Sequence, residues 1–201
     1  MTLDRAGWPF VAVALAATLA LWLVHPWLSA FGALALVFTL NFFRDPERAA
    51  PTDGGVLTSP ADGRVIRADA GRVSIFMNVF DVHVCRTPVA GRVTGVVHER
   101  GRFLAAMKDE AQEQNERTAI VVQPETGPAV RFVLVAGLIA RRIVCRVAAG
   151  TSVSRGERVG IIRFGSRVDV DLPAGYAPAV SVKSRVTAGV TVIAQRSGSA
   201  T

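Results

Sequence analysis

Cysteine and lysine are both scarce in this chain of 201 residues. It has two cysteines, Cys85 and Cys145, and two lysines, Lys108 and Lys183. The cysteines lack CxxC spacing, so we expect two reduced thiols and no metal ion. A Val–Gly spacing at residues 147–160 is typical of small barrels that carry lipoyl or biotinyl lysines. However, no lysine lies between Lys108 and Lys183, which disfavours a swinging-arm carrier.

Acidic residues are fewer than basic ones in this chain. The chain has 16 Asp and Glu against 23 Lys and Arg, a formal net charge of +7. Since only two of these 23 are lysine, 21 are arginine, whose planar guanidinium suits phosphate and carboxylate. The arginines are scattered and no nucleic-acid-binding motif appears, so nucleic acid is not expected as a partner. A basic chain beside an apolar segment favours an anionic membrane surface instead.

Charged residues are missing altogether from a long stretch near the N-terminus. Two apolar runs, residues 8–24 and 27–43, are separated by a proline turn. Each is close to the minimum length for a spanning helix, so residues 1–44 are predicted to form a membrane-associated helical hairpin that spans twice or dips into one leaflet. Arg5 and Arg44 flank it, and the positive-inside rule then places both ends in the cytoplasm. A cleaved signal peptide is disfavoured, because the apolar region is too long.

Residues 45–201 have the pattern of short strands separated by turns, with no visible domain boundary. The strand candidates are rich in Val and Ile and recur about every ten residues, which is typical of an antiparallel sandwich or barrel. We therefore predict a mainly β catalytic domain. Residues 104–116 are predicted to be a short helix or an ordered loop. The predicted strands are residues 64–68, 72–79, 92–97, 118–123, 129–136, 143–148, 158–163, 167–172 and 189–194.

The pair Gly165-Ser166 lies between two of these strands and has the chemistry to cleave its own peptide bond. Glycine tolerates the backbone bend that lets the Ser166 hydroxyl attack the Gly165 carbonyl, and surrounding strands can hold the strain. The resulting ester loses the glycyl carboxylate once a base removes the serine Cα proton. The dehydroalanine that remains hydrolyses to a pyruvoyl group and ammonia. Most Gly-Ser pairs are ordinary turns, so further residues must support this interpretation.

The base for such a reaction must be sought among three histidines. His25 lies in the apolar hairpin and His98 among charged residues, whereas His83 is predicted to lie on a strand, where it alternates with Asp81 and Cys85 on one face. A lone strand histidine is more often structural, but near a serine it is the natural proton carrier. Asp62 is a candidate orienting carboxylate, although an aspartate before glycine is equally typical of a turn.

Several segments, taken in order, give these residues a common context. Over residues 42–182 the chain resembles the short bacterial phosphatidylserine decarboxylases. The segments that carry the resemblance are 43–48 (FRDPER), 59–63 (SPADG), 78–84 (NVFDVHV), Arg86-x-Pro88, 115–117 (NER), 136–144 (AGLIARRIV) and 163–169 (RFGSRVD).

The resemblance implies self-cleavage between Gly165 and Ser166. The products would be a β-chain of residues 1–165 and an α-chain of residues 166–201, which begins with a covalent pyruvoyl cofactor made from Ser166. Asp62 and Ser166 fall on the family's Asp-His-Ser set for maturation. His83 falls on the first histidine of a longer family pattern, whose second histidine is replaced here by Arg86.

The implied reaction is decarboxylation of phosphatidylserine to phosphatidylethanolamine and CO₂ in phospholipid biosynthesis, on the cytoplasmic face of the cell membrane. The pyruvoyl ketone would form a Schiff base with the serine amine and accept the electrons released with CO₂, and His83 is the candidate proton donor. Pyridoxal phosphate would serve similarly, but neither lysine has a suitable context. The α- and β-chains would form a heterodimer, and a higher oligomer is left open.

Arg141 and Arg142 are adjacent, so on a strand they point to opposite faces. One is expected to bind the substrate phosphate or carboxylate, and the sequence does not choose between them.

Two alternative functions of the chain are also left open. One is decarboxylation of an archaeal-type ether lipid at the same site, and the other is a non-catalytic, membrane-tethered β-barrel that binds anionic lipid.

Overall fold

The computed structural model describes residues 2–101, 114–137, 142–163 and 166–197. The chain forms two compact units, residues 1–47 and residues 48–201. The first contains the apolar runs, and the second contains the predicted strands.

The first unit is a helical hairpin. A Cβ atom on Gly32 would lie 2.6 Å from the Cα of Thr18, so glycine allows the two helices to approach closely. His25, in an extended conformation, separates the helices, and its Nδ1 accepts a hydrogen bond from the Trp27 amide at 3.3 Å. The elements are β1 (Thr2–Leu3), a 3₁₀ turn (Arg5–Gly7), α1 (Trp8–Val24), a second 3₁₀ turn (Pro26–Leu28), α2 (Ser29–Phe42) and β2 (Arg44–Asp45), and β1 pairs with β2.

The surface of this hairpin is strongly apolar. Leu23, Val24 and Trp27 are 78%, 74% and 80% exposed. Among the described residues, one helical stretch, Arg5–Val24, is long and apolar enough to cross a membrane by length and composition, and Pro26–Phe42 is a shorter apolar stretch. Only 11% of the most apolar window of Arg5–Val24 is buried, which is unlike the core helix of a soluble protein.

The second unit consists of antiparallel β-strands, as the alternating Val- and Ile-rich segments predict. The strands are β3 (Val56–Thr58), β4 (Gly63–Asp69), β5 (Arg72–Met77), β6 (Val84–Arg86), β7 (Gly91–Glu99), β8 (Arg117–Gln123), β9 (Val130–Ala136), β10 (Ile143–Cys145), β11 (Ser152–Val153), β12 (Arg158–Ile162), β13 (Ser166–Asp171), β14 (Tyr176–Pro178), β15 (Arg185–Val186) and β16 (Val192–Arg196).

These strands form three sheets around one core. The largest has the order β11-β7-β8-β9-β13-β5-β4-β15, and the smaller ones have the orders β10-β12-β6 and β14-β16-β3. One buried cluster contains side chains from all three sheets, including Ile75, Val168, Ile162 and Ile193. The predicted mainly β, antiparallel class is confirmed. The large sheet is open, since β11 and β15 are its edges, so the described strands resemble a sandwich rather than a closed barrel.

All nine predicted strands correspond to observed ones. The strands that sequence patterns missed have two or three residues each, too few to show alternation. They are β1 and β2 of the first unit and β3, β6, β11, β14 and β15 of the second. The predicted helix or loop at residues 104–116 lies almost wholly outside the described residues.

Strand β13 lies in the middle of the large sheet, with β9 on one side and β5 on the other. Its side chains alternate between two buried faces. Val168 and Val170 belong to the main core, whereas Arg167 and Asp169 point to the opposite face. The strand that begins with Ser166 is therefore fixed by hydrogen bonds on both edges and by packing on both faces.

Candidate active site

Ser166 is fully buried at the first position of β13. It is paired in register with Met77 at the end of β5 and with Ala136 at the end of β9. Its hydroxyl points to the core face and donates to the Met77 sulfur at 3.3 Å. Gly165 lies outside the described residues, so the structure fixes the serine of the predicted cleavage pair and not the glycine.

His83 is also fully buried, directly before β6. Its Nδ1 lies 2.9 Å from the Asp81 carbonyl oxygen. A carbonyl only accepts, so Nδ1 carries the proton and donates it, which leaves Nε2 as the basic nitrogen. The His83 carbonyl accepts from the Ile162 amide at 3.3 Å, which places His83 opposite the strand that leads to Ser166.

Asp62 is held by a guanidinium and a main-chain amide. Arg48 contacts both of its carboxylate oxygens, Nη1 to Oδ1 at 2.5 Å and Nη2 to Oδ2 at 2.8 Å, and the Ala188 amide donates to Oδ1 at 2.8 Å. The next residue, Gly63, has φ +150°, and a Cβ there would lie 2.1 Å from the Phe76 carbonyl oxygen. Glycine thus lets the Asp62 turn lie against the end of β5.

The three predicted residues come to the same end of the large sheet. Ser166 pairs with Met77 at the end of β5, Gly63 beside Asp62 lies against Phe76, and a short turn after Met77 leads to His83. Strand β6 is also tied to the Asp62 turn, because the Arg86 amide donates to the Pro60 carbonyl at 2.8 Å. Asp62 is bound by Arg48 and the Ala188 amide, whereas the His83 ring is bound by the Asp81 carbonyl. The role of Asp62 as the orienting carboxylate therefore stays a prediction.

Cys85 and Arg86, two neighbours of His83 on β6, are buried, and their contacts indicate a structural role. Arg86, at the position of the second family histidine, is 4% exposed and donates through Nη1 to the Gly156 carbonyl at 2.9 Å. Burial raises the pKa of the Cys85 thiol, and the negative charge of Asp62 adds to this rise, followed by a contribution from Cys145. Cys85 therefore stays protonated at neutral pH and is a poor nucleophile. Neither cysteine forms a disulfide.

The main chains of Arg142 and Arg163 are in contact, and Arg163 lies three residues before Ser166. The Arg163 amide donates to the Arg142 carbonyl at 3.3 Å. Burial lowers the pKa of Arg163, and the positive charge of Arg142 lowers it further. Guanidinium groups are well suited to bind an anion such as phosphate or carboxylate. Arg141 lies outside the described residues.

Sequence reasoning missed three residues that support this end of the sheet. Arg48 binds Asp62, Asp81 supplies the carbonyl that fixes the His83 tautomer, and Asn115 donates to the Ala136 carbonyl at 2.7 Å, next to Ser166. Each lies in a segment quoted above for the family resemblance. Those segments were the available signal, because no spacing rule predicts these contacts.

The described residues contain no group of three or more His, Cys, Asp and Glu side chains placed to hold a metal ion. The site is instead a buried hydroxyl, a buried imidazole and a partly buried carboxylate at one end of an antiparallel β domain, with Arg163 three residues before Ser166 in the chain. These groups can support attack by the hydroxyl, transfer of a proton and binding of an anionic substrate.

Known proteins with similar sequences identify the family of this chain. The model of the phosphatidylserine decarboxylase family matches residues 35–194. The chain is 48% identical to the phosphatidylserine decarboxylase proenzyme of Nitratidesulfovibrio vulgaris, over 98% of this chain and 96% of the relative. It is 44% identical to the proenzyme of the same name from Paraburkholderia phymatum, over 95% of each chain. The chain belongs to the phosphatidylserine decarboxylase family, which is a family of enzymes.

Proposed function

We propose that this enzyme decarboxylates phosphatidylserine to phosphatidylethanolamine and CO₂, after it has cut its own chain between Gly165 and Ser166. The observation that carries the proposal is the position of Ser166, buried at the start of a central strand and at the same end of the sheet as His83 and Asp62. Family membership supports the substrate, and the name proenzyme of the relatives supports a processed form.

In the proposed maturation, the Ser166 hydroxyl attacks the Gly165 carbonyl carbon and the amide becomes an ester. A base removes the Ser166 Cα proton, and the glycyl carboxylate of the β-chain leaves. His83 is the proposed base, since donation from Nδ1 to Asp81 keeps the lone pair on Nε2. Asp62, held by Arg48, supplies a fixed negative charge at the same end of the sheet.

The surroundings of Ser166 fit a pyruvoyl group. A ketone at this position would lie at a buried strand end, between Met77 and Ala136, where both neighbouring strands fix its direction. The group would act as an electron sink for the carboxyl group that is lost. His83 is buried nearby and is the proposed donor of the proton that replaces CO₂.

Substrate binding is assigned to the arginines before Ser166. Arg142 is exposed and its main chain is hydrogen-bonded to that of Arg163, so both residues are candidates to donate to the phosphate or carboxylate of the headgroup. Arg141 remains a candidate on the sequence argument alone.

The exposed apolar hairpin is proposed to hold the enzyme on the cytoplasmic face of the cell membrane. Acyl chains then stay in the bilayer while the headgroup reaches the site. Its exposed side chains, such as Leu23 and Trp27, suit hydrocarbon and the interface. Arg5 and Arg44 flank the hairpin and support a cytoplasmic orientation.

The proposed products remain one protein after cleavage. In the α-chain, β13 and β15 pair with strands of the β-chain in the large sheet, and β16 pairs with β3. Hydrogen bonds and core packing would hold the α- and β-chains together as a heterodimer.

Mass spectrometry of the purified full-length chain tests the proposal. We expect two chains, residues 1–165 and 166–201, with the shorter one lacking a free amino terminus. Borohydride added with phosphatidylserine should leave a covalent lipid adduct on the shorter chain. A single intact 21.3 kDa chain in a preparation that releases CO₂ would overturn the self-processing mechanism. Parallel assays with diacyl and dialkyl-ether substrates would compare the two lipid classes.

A further inference from the structure

A buried ion pair follows the proposed cleavage point directly. Arg167 and Asp169 are each 1% exposed on β13, and Arg167 Nε lies 2.6 Å from Asp169 Oδ1. Arg167 also donates through Nη2 to the hydroxyl of Ser74 on β5 at 3.1 Å. Asp169 Oδ2 has no hydrogen-bond partner in the part of the chain that the structure describes, so Arg167 is the principal partner of this carboxylate.

The pair lies on the face of β13 opposite Ser166. Its neighbours on β9 are apolar, since Val135 is the register partner of Arg167 and Val133 that of Asp169. A slip of one residue would turn both charges into the main core and move Ser166 to the other face. A slip of two residues would keep the faces but would break the bond to Ser74.

Stability alone does not explain this arrangement. Taking two charges out of water is costly, and replacing a buried ion pair by apolar side chains is often neutral or stabilising. Two apolar residues at 167 and 169 would, however, make β13 apolar on both faces, so a slip of one residue would no longer bury charged side chains in the main core and would lose that energetic penalty. The ion pair therefore disfavours slipped registers of β13 that an apolar pair would tolerate.

We propose that Arg167 and Asp169 are positioning residues for self-cleavage. Their ion pair fixes which face of β13 each residue occupies, and the bond from Arg167 to Ser74 fixes the register against β5. Together they place the Ser166 hydroxyl on the site face opposite Met77. This inference rests on the proposed self-cleavage, and it adds Arg167 and Asp169 to the residues on which that reaction depends.

The test is the double variant Arg167→Met with Asp169→Leu, in the full-length chain. We expect it to fold with a melting temperature close to or above that of the wild type, but to cleave itself at least about tenfold more slowly, because small misplacements of reacting groups are costly. The rate is measured by the appearance of the two chains after synthesis of labelled protein. Hydroxylamine cuts esters and not amides, so the variant should also yield less hydroxylamine-released fragment.

Two further variants complete the experiment. Ser74→Ala removes only the cross-strand bond and should slow cleavage by a smaller factor. Arg131→Gln breaks the exposed pair with Asp171 on the same strand and should cleave at the wild-type rate. Cleavage of the double variant at the wild-type rate overturns the register role, and so does a slowing that only matches a loss of melting temperature. A wild type that never cleaves would instead overturn the proposed function.

Discussion

Arg48 holds both carboxylate oxygens of Asp62 in a bidentate ion pair whose side chains are 10% and 16% exposed. The Asp62 carboxylate is thereby fixed at the end of the sheet where Ser166 lies. Arg48, with which the second compact unit begins, is thus bound to a residue of the candidate site.

Replacement Arg48→Met should leave Asp62 partly buried with only the Ala188 amide as a strong donor. We expect a loss of about 1–3 kcal/mol in the free energy of unfolding, because one partner of a charged hydrogen-bonded pair is removed, together with slower self-cleavage. Thermal unfolding and chain analysis by gel measure the two effects. Arg67→Met, which breaks the exposed pair with Asp69, is the control and should change neither. Equal effects of the two variants would contradict the assignment.

Replacement Ser166→Ala should give a single uncut chain with no decarboxylase activity. The methyl group fits the buried position but cannot attack a carbonyl carbon. Intact mass and CO₂ release are the measurements. Ser181→Ala, at an exposed serine, should be cut normally. A normal two-chain product from Ser166→Ala would move the cleavage site elsewhere.

Replacement His83→Gln should slow maturation by about 10²- to 10⁴-fold, the usual contribution of a positioned general base. Glutamine preserves a donor toward the Asp81 carbonyl but has no basic nitrogen. The time course of cleavage after synthesis is the readout. His98→Gln is the matched control, since the His98 side chain is 46% exposed on β7. Full-rate cleavage by His83→Gln would show that another group is the base.

The hairpin variant Leu23→Lys with Val24→Lys should bind vesicles containing phosphatidylglycerol more weakly, because lysine is disfavoured in the apolar region of a bilayer. Co-sedimentation measures the bound fraction. Val97→Lys with Val182→Lys places the same charges on exposed positions of the β unit and should leave binding unchanged or stronger. Equal loss in both variants would rule out a specific role of the hairpin.

Alkylation should distinguish the two cysteines. Because burial raises the pKa of Cys85, its thiolate fraction stays low as the pH rises through the range where ordinary thiols ionise. At pH 8.5, iodoacetamide should modify the native protein at Cys145 first and should reach Cys85 only after denaturation. Peptide mapping checks this, and rapid labelling of Cys85 in folded protein would contradict its burial.

The long strands and the hairpin could be predicted because alternation and uninterrupted apolar runs are local properties of the sequence. Strands such as β6 and β15 could not, since two or three residues show no period and their existence depends on the strands they pair with. The central position of β13 is likewise a property of long-range pairing.

The candidate site was only partly predictable. Ser166, His83 and Asp62 have recognisable chemistry and local motifs, and the structure places them at one end of the sheet. The partner of the His83 ring is a main-chain carbonyl, which no side-chain pattern reveals. Arg48 and Asp62 are separated by 14 positions, so their contact required the fold.

The central location of β13 has a consequence for how the enzyme is produced. An edge strand can be lost and replaced, but an inner strand leaves only if the sheet on both sides opens. In the proposed two-chain enzyme, each α-chain therefore stays bound to the β-chain from which it was cut. Mature molecules should not exchange α-chains, so an inactive molecule could not regain activity by taking up an α-chain from an active one.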